Sequence, residues 1–211
     1  MRILLVDDHD IIRRGVRTLL ETRSDLEVVG EASTGLEAVT IARQLKPDIA
    51  IVDYSIPELN GRDLTGALKK DLPTIEVLIY TMHDREQMVL DVLQAGARGF
   101  VLKSETERHL FAAVDALSIH QPYFSGAISE ALLDQYLRCR SPQPTSSLLT
   151  DRERQVVQLI AEGKMNKEIA FMLSISLKTV ETHRASAIRK LNLGTTADLV
   201  RYAIRHNIAA P

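Results

Sequence analysis

The chain has 211 residues, of which 45% are hydrophobic and 26% charged, and its formal net charge is −2. This composition excludes a chain that is disordered throughout, and the single cysteine excludes a disulfide framework or a cysteine-ligated zinc site. The first apolar run, Ile3 to Val6, is too short for a signal peptide core or a membrane span. We therefore expect a cytoplasmic protein with no membrane partner.

The charges are distributed unevenly along the chain. Residues 1–120 contain 14 lysines and arginines against 20 aspartates and glutamates, whereas residues 150–211 contain 10 against 6. An acidic first part and a basic last part indicate two modules with different partners, and nucleic acid is a candidate partner for the second.

The first 120 residues alternate short apolar runs with segments of helical period, which is the pattern of βαβ units in a parallel sheet. We predict an α/β fold with a five-stranded, parallel, doubly wound (flavodoxin-like) sheet, and Asp10 as the N-cap of the first helix. The predicted strands are Ile3–Val6, Glu27–Glu31, Asp48–Val52, Val77–Tyr80 and Gly99–Leu102. The first predicted helix begins after Asp10 and includes Leu20, and the later ones cover Gly35–Leu45, Gly61–Lys70, Arg85–Ala95 and Glu105–Leu117.

No strand is predicted after residue 120. The stretch 121–148 is interpreted as a linker, with an amphipathic helix over Ser125 to Tyr136 and a run of serine and proline before residue 148. Residues 149–211 are predicted to form a small all-α domain of four helices. Its predicted helices are Thr150–Ala161, Asn166–Leu173, Leu177–Leu191 and Thr196–His206.

Polar residues stand at four of the predicted strand ends. Asp7 and Asp8 end the first strand, Asp53 ends the third, and Thr81 and Lys103 follow the fourth and fifth. The carboxyl ends of parallel strands meet in one crevice, so we expect these side chains to lie together. Crowded carboxylates repel one another unless a cation joins them. Oxygen ligands with no histidine or cysteine expected nearby indicate Mg²⁺ and phosphoryl chemistry. Each residue alone is more typical of a solvated turn, a helix cap or a surface charge than of a ligand, and only the joint arrangement favours a site.

At these residues the sequence resembles a bacterial two-component response regulator. The match covers about the first 120 residues with its spacing intact, and the resemblance implies a receiver domain that a sensor histidine kinase phosphorylates. The matching motifs are LVDDH at 5–9, VDYSIP at 52–57, YTMH at 80–83 and GARGFVLK at 96–103.

The resemblance implies a role for each matching position. Asp53 would be the phosphoacceptor, and Asp7 and Asp8 would help to hold Mg²⁺ together with Asp53 and the backbone carbonyl of Ser55. As a carboxylate nucleophile, Asp53 would carry an aspartyl phosphate.

Three further positions would sense the phosphoryl group. The Lys103 ammonium would offset its charge, the Thr81 hydroxyl would donate to one of its oxygens, and Phe100 would rotate as the family's switch aromatic does. Phe100 is equally typical of a plain core aromatic.

The basic tail carries clear helix-capping signals. Thr150 and Glu153 form a capping box, and Ser176 caps the third predicted helix of the tail. The second and third helices are joined by the three-residue turn 174–176, which is the spacing of a helix-turn-helix. The pattern alone is equally typical of a helical docking module with a solvated charged face.

The tail is also similar to the LuxR-type DNA-binding domain, over 149–163, 166–170 and 178–183. Together with the receiver, this resembles the NarL/FixJ class of response regulators. Glu181 and Ala185 stand where many relatives have lysine or another polar donor, so we expect Glu181 to sharpen base choice by accepting from cytosine N4. The predicted DNA-contacting residues are Lys178, Thr179, Glu181, Thr182, His183, Ala185, Ser186, Arg189 and Lys190.

The sequence thus predicts a transcription regulator that binds double-stranded operator DNA as a homodimer, with RNA polymerase as a further candidate partner. It would catalyse no reaction other than its own phosphorylation and dephosphorylation.

Two alternatives stay open at this point. One is a Mg²⁺-dependent phosphohydrolase, against which stands Ser55 at the place of the second aspartate of haloacid-dehalogenase enzymes. The other is a regulator that works without phosphorylation and uses the acidic pocket only as an ion site. An ATPase has no support, because the sequence lacks a glycine-rich nucleotide-binding loop.

Overall fold

The computed structural model describes residues 1–83, 85–126, 148–206 and 208–209. The chain divides into two compact units, Met1–Gln143 and Pro144–Pro211. The predicted linker helix over Ser125–Tyr136 lies, beyond its first two residues, outside the described residues. In the described part of the chain, no helix combines the length and the apolar character that a membrane span requires.

The first unit alternates strands and helices, as the sequence predicts, and most element bounds lie within two residues of the predicted ones. Its strands are β1 (Arg2–Val6), β2 (Glu27–Ala32), β3 (Ile49–Val52), β4 (Glu76–Thr81), β5 (Gly99–Leu102) and β6 (Tyr123–Phe124). Its helices are α1 (Asp10–Leu20), α2 (Gly35–Leu45), α3 (Gly61–Asp71), α4 (Glu86–Gln94) and α5 (Glu107–Ser118).

The six strands form one parallel sheet in the order β2-β1-β3-β4-β5-β6. The predicted parallel α/β architecture is confirmed, but the predicted count of five strands is wrong. The sixth strand has only two residues, and it pairs with β5 through Gly99 with Tyr123 and Phe100 with Phe124. Two residues are too few to show the alternating period of a strand, so the sequence predicts five strands and not the sixth.

Helices cover both faces of this sheet. Alternate residues of a strand point to opposite faces, so Leu4 and Val6 join one core with α2, α3 and α4, while Ile3 and Leu5 join another with α1 and α5. The central strands are therefore buried on both sides, which explains why they read as continuous apolar runs. Burial of each such side chain stabilises the fold by roughly 1.5–3 kcal/mol.

Two helix starts near the strand ends have specific local causes. The N-cap of α1 is His9, and Asp10, predicted as the cap, is the first helical residue. An aspartate there still interacts favourably with the positive end of the helix dipole. At the start of α3, a Cβ on Gly61 would lie 2.8 Å from the Cα of Tyr54. Only glycine therefore lets α3 start against the segment that follows β3.

The second unit is all-α, as predicted. The Thr150–Glu153 capping box and the Ser176 cap are confirmed, because both side-chain oxygens accept from backbone N–H groups of the first turn. Buried Val156, Ile169 and Val180 join three of the helices in one apolar cluster. The helices are α6 (Asp151–Ala161), α7 (Asn166–Met172), α8 (Leu177–Lys190) and α9 (Thr196–Arg205).

Candidate functional site

An ion-paired cluster lies at the carboxyl ends of β1, β3 and β5. Val6 of β1 pairs with Val52 of β3, so the next residues, Asp7 and Asp53, lie side by side. The Lys103 Nζ atom lies 2.5 Å from Asp7 Oδ2 and 2.7 Å from Asp53 Oδ2. The three side chains are only 4–9% exposed. The structure thus brings together Asp7 and Lys103, which are 96 positions apart in the sequence, as the convergence of parallel strand ends predicts.

The ammonium of Lys103 is held in its charged form. Burial alone lowers the pKa of a lysine, but the charges of Asp53 and Asp7 and their hydrogen bonds outweigh this desolvation and raise the pKa of Lys103 above its ordinary value. A positive charge is therefore fixed between two carboxylates at neutral pH.

Asp8 and His9 complete this group, which we call the acidic cluster and which consists of Asp7, Asp8, His9, Asp53 and Lys103. Asp7, Asp8, His9 and Asp53 each offer one ligand atom, and these atoms lie within 4.8 Å of one another. His9 Nδ1 lies 2.8 Å from Asp8 Oδ1, and the His9 backbone N–H donates to Asp7 Oδ1 at 2.9 Å. The expectation that no histidine lies near the carboxylates is therefore wrong, and the predicted ligand set of oxygen atoms stays a prediction. The signal for His9 was its position directly after the two aspartates.

This set of donors fits a hard divalent cation. Three carboxylates converge, and Asp8 is the exposed member that faces solvent. Ser55 lies on the segment that follows β3, where its backbone N–H donates to Asp53 Oδ1 at 3.4 Å.

The two other predicted positions lie close by in the sheet. Thr81 ends β4 and is fully buried, and its carbonyl accepts from the Lys103 backbone N–H at 2.8 Å. Phe100 is fully buried in the core on one face of the sheet, among apolar side chains rather than among the carboxylates. Its role as a switch stays a prediction.

The second candidate surface lies on α8. Lys178, Glu181, Thr182, Ala185, Arg189 and Lys190 are exposed, and Thr179, His183 and Ser186 are half-buried. The opposite side of the helix is anchored by Val180 and Ala187, which are fully buried. All nine residues lie on one helix, and six of them face solvent.

Lys190 also has a partner inside the domain. Its ammonium lies 2.7 Å from Glu153 Oε2, although the Glu153 side chain is only 5% exposed. Burial raises the pKa of Glu153, but hydrogen bonds from Lys190, Ser186 and Thr150 outweigh it and lower the pKa to about 2. This ion pair ties α8 to α6, and the sequence pattern, which separates the two residues by 37 positions, gave no sign of it.

Comparison with known proteins identifies both units. Residues 3–115 match the response regulator receiver domain, and residues 147–203 match the luxR family of bacterial regulatory proteins. The chain belongs to the LuxR-family response regulators. It is a two-component response regulator of the NarL/FixJ class with a LuxR-type DNA-binding domain, and it is not a classical enzyme. Its receiver domain implies a histidine kinase as a partner.

Similarity to characterised relatives extends over nearly the whole chain. "Transcriptional regulatory protein MctR" of Rhizobium johnstonii is 34% identical over 210 residues, which are 100% of this chain and 96% of that protein. "Response regulator protein VraR" of Staphylococcus aureus is 36% identical over 208 residues, 99% of this chain and 98% of that protein. The solved structure of RcsB from Salmonella enterica serovar Typhimurium, bound to promoter P1flhDC with the phosphomimetic BeF3⁻, is 27% identical. It has a TM-score of 0.62 and covers 96% of this chain and 97% of that one.

Proposed function

We propose that a sensor histidine kinase transfers a phosphoryl group to Asp53 and that this transfer changes the affinity of the chain for operator DNA. Residues 1–120 would be the receiver, 121–148 the linker, which contributes β6 to the receiver sheet, and 149–211 the DNA-binding domain. The buried Lys103 ammonium, in contact with both Asp7 and Asp53, carries the proposal. Such a fixed positive charge stabilises a phosphoryl group arriving at Asp53.

Asp53 is the nucleophile in this proposal. One of its carboxylate oxygens bonds to the phosphorus as the bond to the donor breaks, which leaves an aspartyl phosphate. Asp7, Asp8, Asp53 and the Ser55 carbonyl would hold Mg²⁺, which when bound offsets negative charge on the transferring oxygens. Hydrolysis of the aspartyl phosphate restores Asp53, so the chain acts only on its own phosphorylation state.

The switch would begin at Thr81 and Lys103. Lys103 keeps one acidic partner, Asp7, when it turns to the phosphoryl group, and the Thr81 hydroxyl donates to a phosphoryl oxygen. Movement of the loop after β4 would then shift Phe100, whose backbone pairs with Phe124 of β6. Residues 125 and 126 follow that strand directly and lead toward the second unit.

The nine residues of α8 named above would form the DNA interface. Lys178, Thr179, Arg189 and Lys190 would bind phosphates, whereas Glu181 and Thr182 would read base edges. His183 is assigned to packing or phosphate contact rather than to a metal. RcsB, a similar protein that is solved bound to a promoter, supports DNA as the partner of the second unit.

Two copies would bind two half-sites of the operator. One short recognition helix contacts few base pairs, and a second copy raises affinity through effective concentration. A protein that acts on operator DNA would be cytoplasmic, and RNA polymerase at the promoter would be a further partner.

Radiolabelled acetyl phosphate with Mg²⁺ tests the phosphoacceptor. We expect the wild-type chain to be labelled and Asp53→Asn to take up no label. The matched control is Asp115→Asn, which removes an exposed carboxylate paired with Arg23 and is expected to label normally. Undiminished label in Asp53→Asn would remove that residue from the role, and steady turnover of a generic phosphate ester would favour a phosphohydrolase instead.

A further inference from the structure

The peptide that joins Asp7 to Asp8 carries both carboxylates at the end of β1. Its carbonyl oxygen, that of Asp7, accepts a hydrogen bond from Arg13 Nη1 at 2.6 Å. A displacement of this peptide would move the Cα atoms at its two ends, and with them the side chains of Asp7 and Asp8. The position of one peptide therefore affects where two of the three carboxylates lie.

Arg13 is itself held on two further sides. Its Nε donates to Glu31 Oε2 at 2.9 Å and its Nη2 to Asp10 Oδ1 at 2.5 Å, and the side chain is only 15% exposed. Glu31 lies in β2, opposite Leu5 of β1, so the guanidinium is anchored to the sheet. A planar guanidinium with three fixed partners has little freedom to move, which makes it suited to fixing a carbonyl.

Arg17 offers a matched comparison one turn further along α1. Its Nη1 donates to Glu31 Oε1 at 2.5 Å and its Nε to Glu21 Oε1 at 2.8 Å. Arg13 and Arg17 thus share Glu31, and both ion pairs join α1 to β2. Among the described contacts of these two arginines, one reaches the acidic cluster, and it is the hydrogen bond from Arg13 to the Asp7 carbonyl.

We propose that Arg13 is a positioning residue, which fixes the Asp7–Asp8 peptide and thereby sets the affinity of the acidic cluster for a divalent cation. This inference rests on the proposed function, since it assigns Arg13 to the same site. Arg13 touches neither the phosphoryl group nor the cation, and acts through the peptide alone. Groups that orient the ligands of a metal site in this way contribute to its affinity without entering the first coordination sphere.

Direct Mn²⁺ binding to the full chain, without a phosphodonor, tests the proposal. Electron paramagnetic resonance measures the free Mn²⁺ during a titration, so the readout does not depend on phosphorylation. We expect Arg13→Ala to weaken Mn²⁺ binding by about tenfold, the lower end of the effect of such orienting groups. Arg17→Ala is expected to bind Mn²⁺ like wild type, and Arg13→Lys, which keeps one donor for the Asp7 carbonyl, is expected to fall between the two.

Thermal unfolding of the same variants separates positioning from general stability. Both alanine variants lose a bond to Glu31, so we expect both to unfold at a lower temperature than wild type. Equal weakening of Mn²⁺ binding in Arg13→Ala and Arg17→Ala would overturn the proposal, as would wild-type binding by Arg13→Ala or the absence of Mn²⁺ binding to the wild-type chain. If the wild-type chain binds Mn²⁺ but takes up no phosphoryl group, the proposed function fails while the comparison of Arg13 with Arg17 still stands.

Discussion

The acidic cluster and the exposed surface of α8 are built in opposite ways. The cluster takes its members from three strand ends, and its ion-paired side chains are almost fully buried. The surface of α8 takes all its members from one helix, and most of them face solvent. A site of the first kind exists only when the whole sheet is folded, whereas a site of the second kind needs one helix and its anchor.

This difference separates the expected effects of mutation. Changes in the acidic cluster alter stability and function together, because buried charges depend on one another. Changes on the surface of α8 are expected to alter DNA binding, if α8 forms the proposed interface, with little effect on stability. Lys190 is the exception, since it lies on the exposed surface and pairs with the buried Glu153.

The largest effect is expected for Lys103→Met. This change leaves Asp7 and Asp53 close together without their shared cation, which costs about 3 kcal/mol of unfolding free energy at pH 7. The folded pKa of Lys103 is raised, so its contribution is present below pH 10.5, the ordinary value, and is lost only as the pH rises through the higher folded value. Urea unfolding measures the loss.

Lys70→Met, which changes an exposed lysine at the end of α3, is the control for Lys103→Met. Its unfolding free energy should match wild type. Addition of Mg²⁺ should restore part of the loss in Lys103→Met, because a divalent cation replaces the missing positive charge. Equal stability of the two lysine variants would show that the buried ion pair contributes nothing.

The next largest effect is expected for Glu153→Gln in the second unit. The folded pKa of Glu153 is about 2, below the ordinary 4.5, so its ion pair stabilises the fold above pH 4.5 and the contribution is lost as the pH falls toward 2. We expect about 2 kcal/mol of destabilisation of α6 and α8 at pH 7, which is a reduced figure that allows for partial solvent screening. Peptide-level hydrogen exchange in urea measures it.

Glu181→Gln, an exposed change on α8, the helix that carries Lys190, is the control and should leave protection from exchange unchanged. The difference between Glu153→Gln and wild type should shrink as the pH is lowered from 4.5 to 2. A difference that stays constant over this range would contradict the assigned ion pair.

A smaller effect is expected for Arg189→Ala. If Arg189 binds a phosphate, its loss weakens binding to all DNA sequences alike and reduces the slope of log affinity against log salt by about 1. Fluorescence anisotropy over a range of salt concentrations measures the slope. Arg43→Ala, a change of equal charge in the first unit, should keep the wild-type slope, and discrimination lost at a single base pair would instead make Arg189 a base-reading residue.

The smallest effect is expected for Glu181→Ala. Removal of this carboxylate reduces repulsion from phosphates and removes an acceptor for cytosine N4, so binding to random DNA should strengthen while discrimination at one base pair falls by about 1 kcal/mol. Affinities for operators with single substitutions measure both quantities. Unchanged discrimination at every position would place Glu181 outside the groove.

The sequence predicted the acidic cluster well because strand ends converge by topology, independently of side-chain detail. The strand order alone predicts that Asp7, Asp53 and Lys103 lie close together. Two sets of contacts could not be predicted: those of Arg13, and the ion pair of Glu153 with Lys190. Both depend on the rotation of a helix about its axis and on its docking, which the hydrophobic period determines only approximately. The strand β6 was not predicted, because its two residues are too few to show the alternation that marks a strand.

The most direct test of the proposed switch measures operator affinity with and without acetyl phosphate and Mg²⁺. An operator is first selected from random DNA, and wild type is then compared with Asp53→Asn by fluorescence anisotropy. We expect acetyl phosphate to change the affinity of wild type by about tenfold, within the usual range of coupling between two sites, and to leave Asp53→Asn unaffected. An equal response of both proteins, or no response of the wild type, would contradict a switch based on phosphorylation of Asp53.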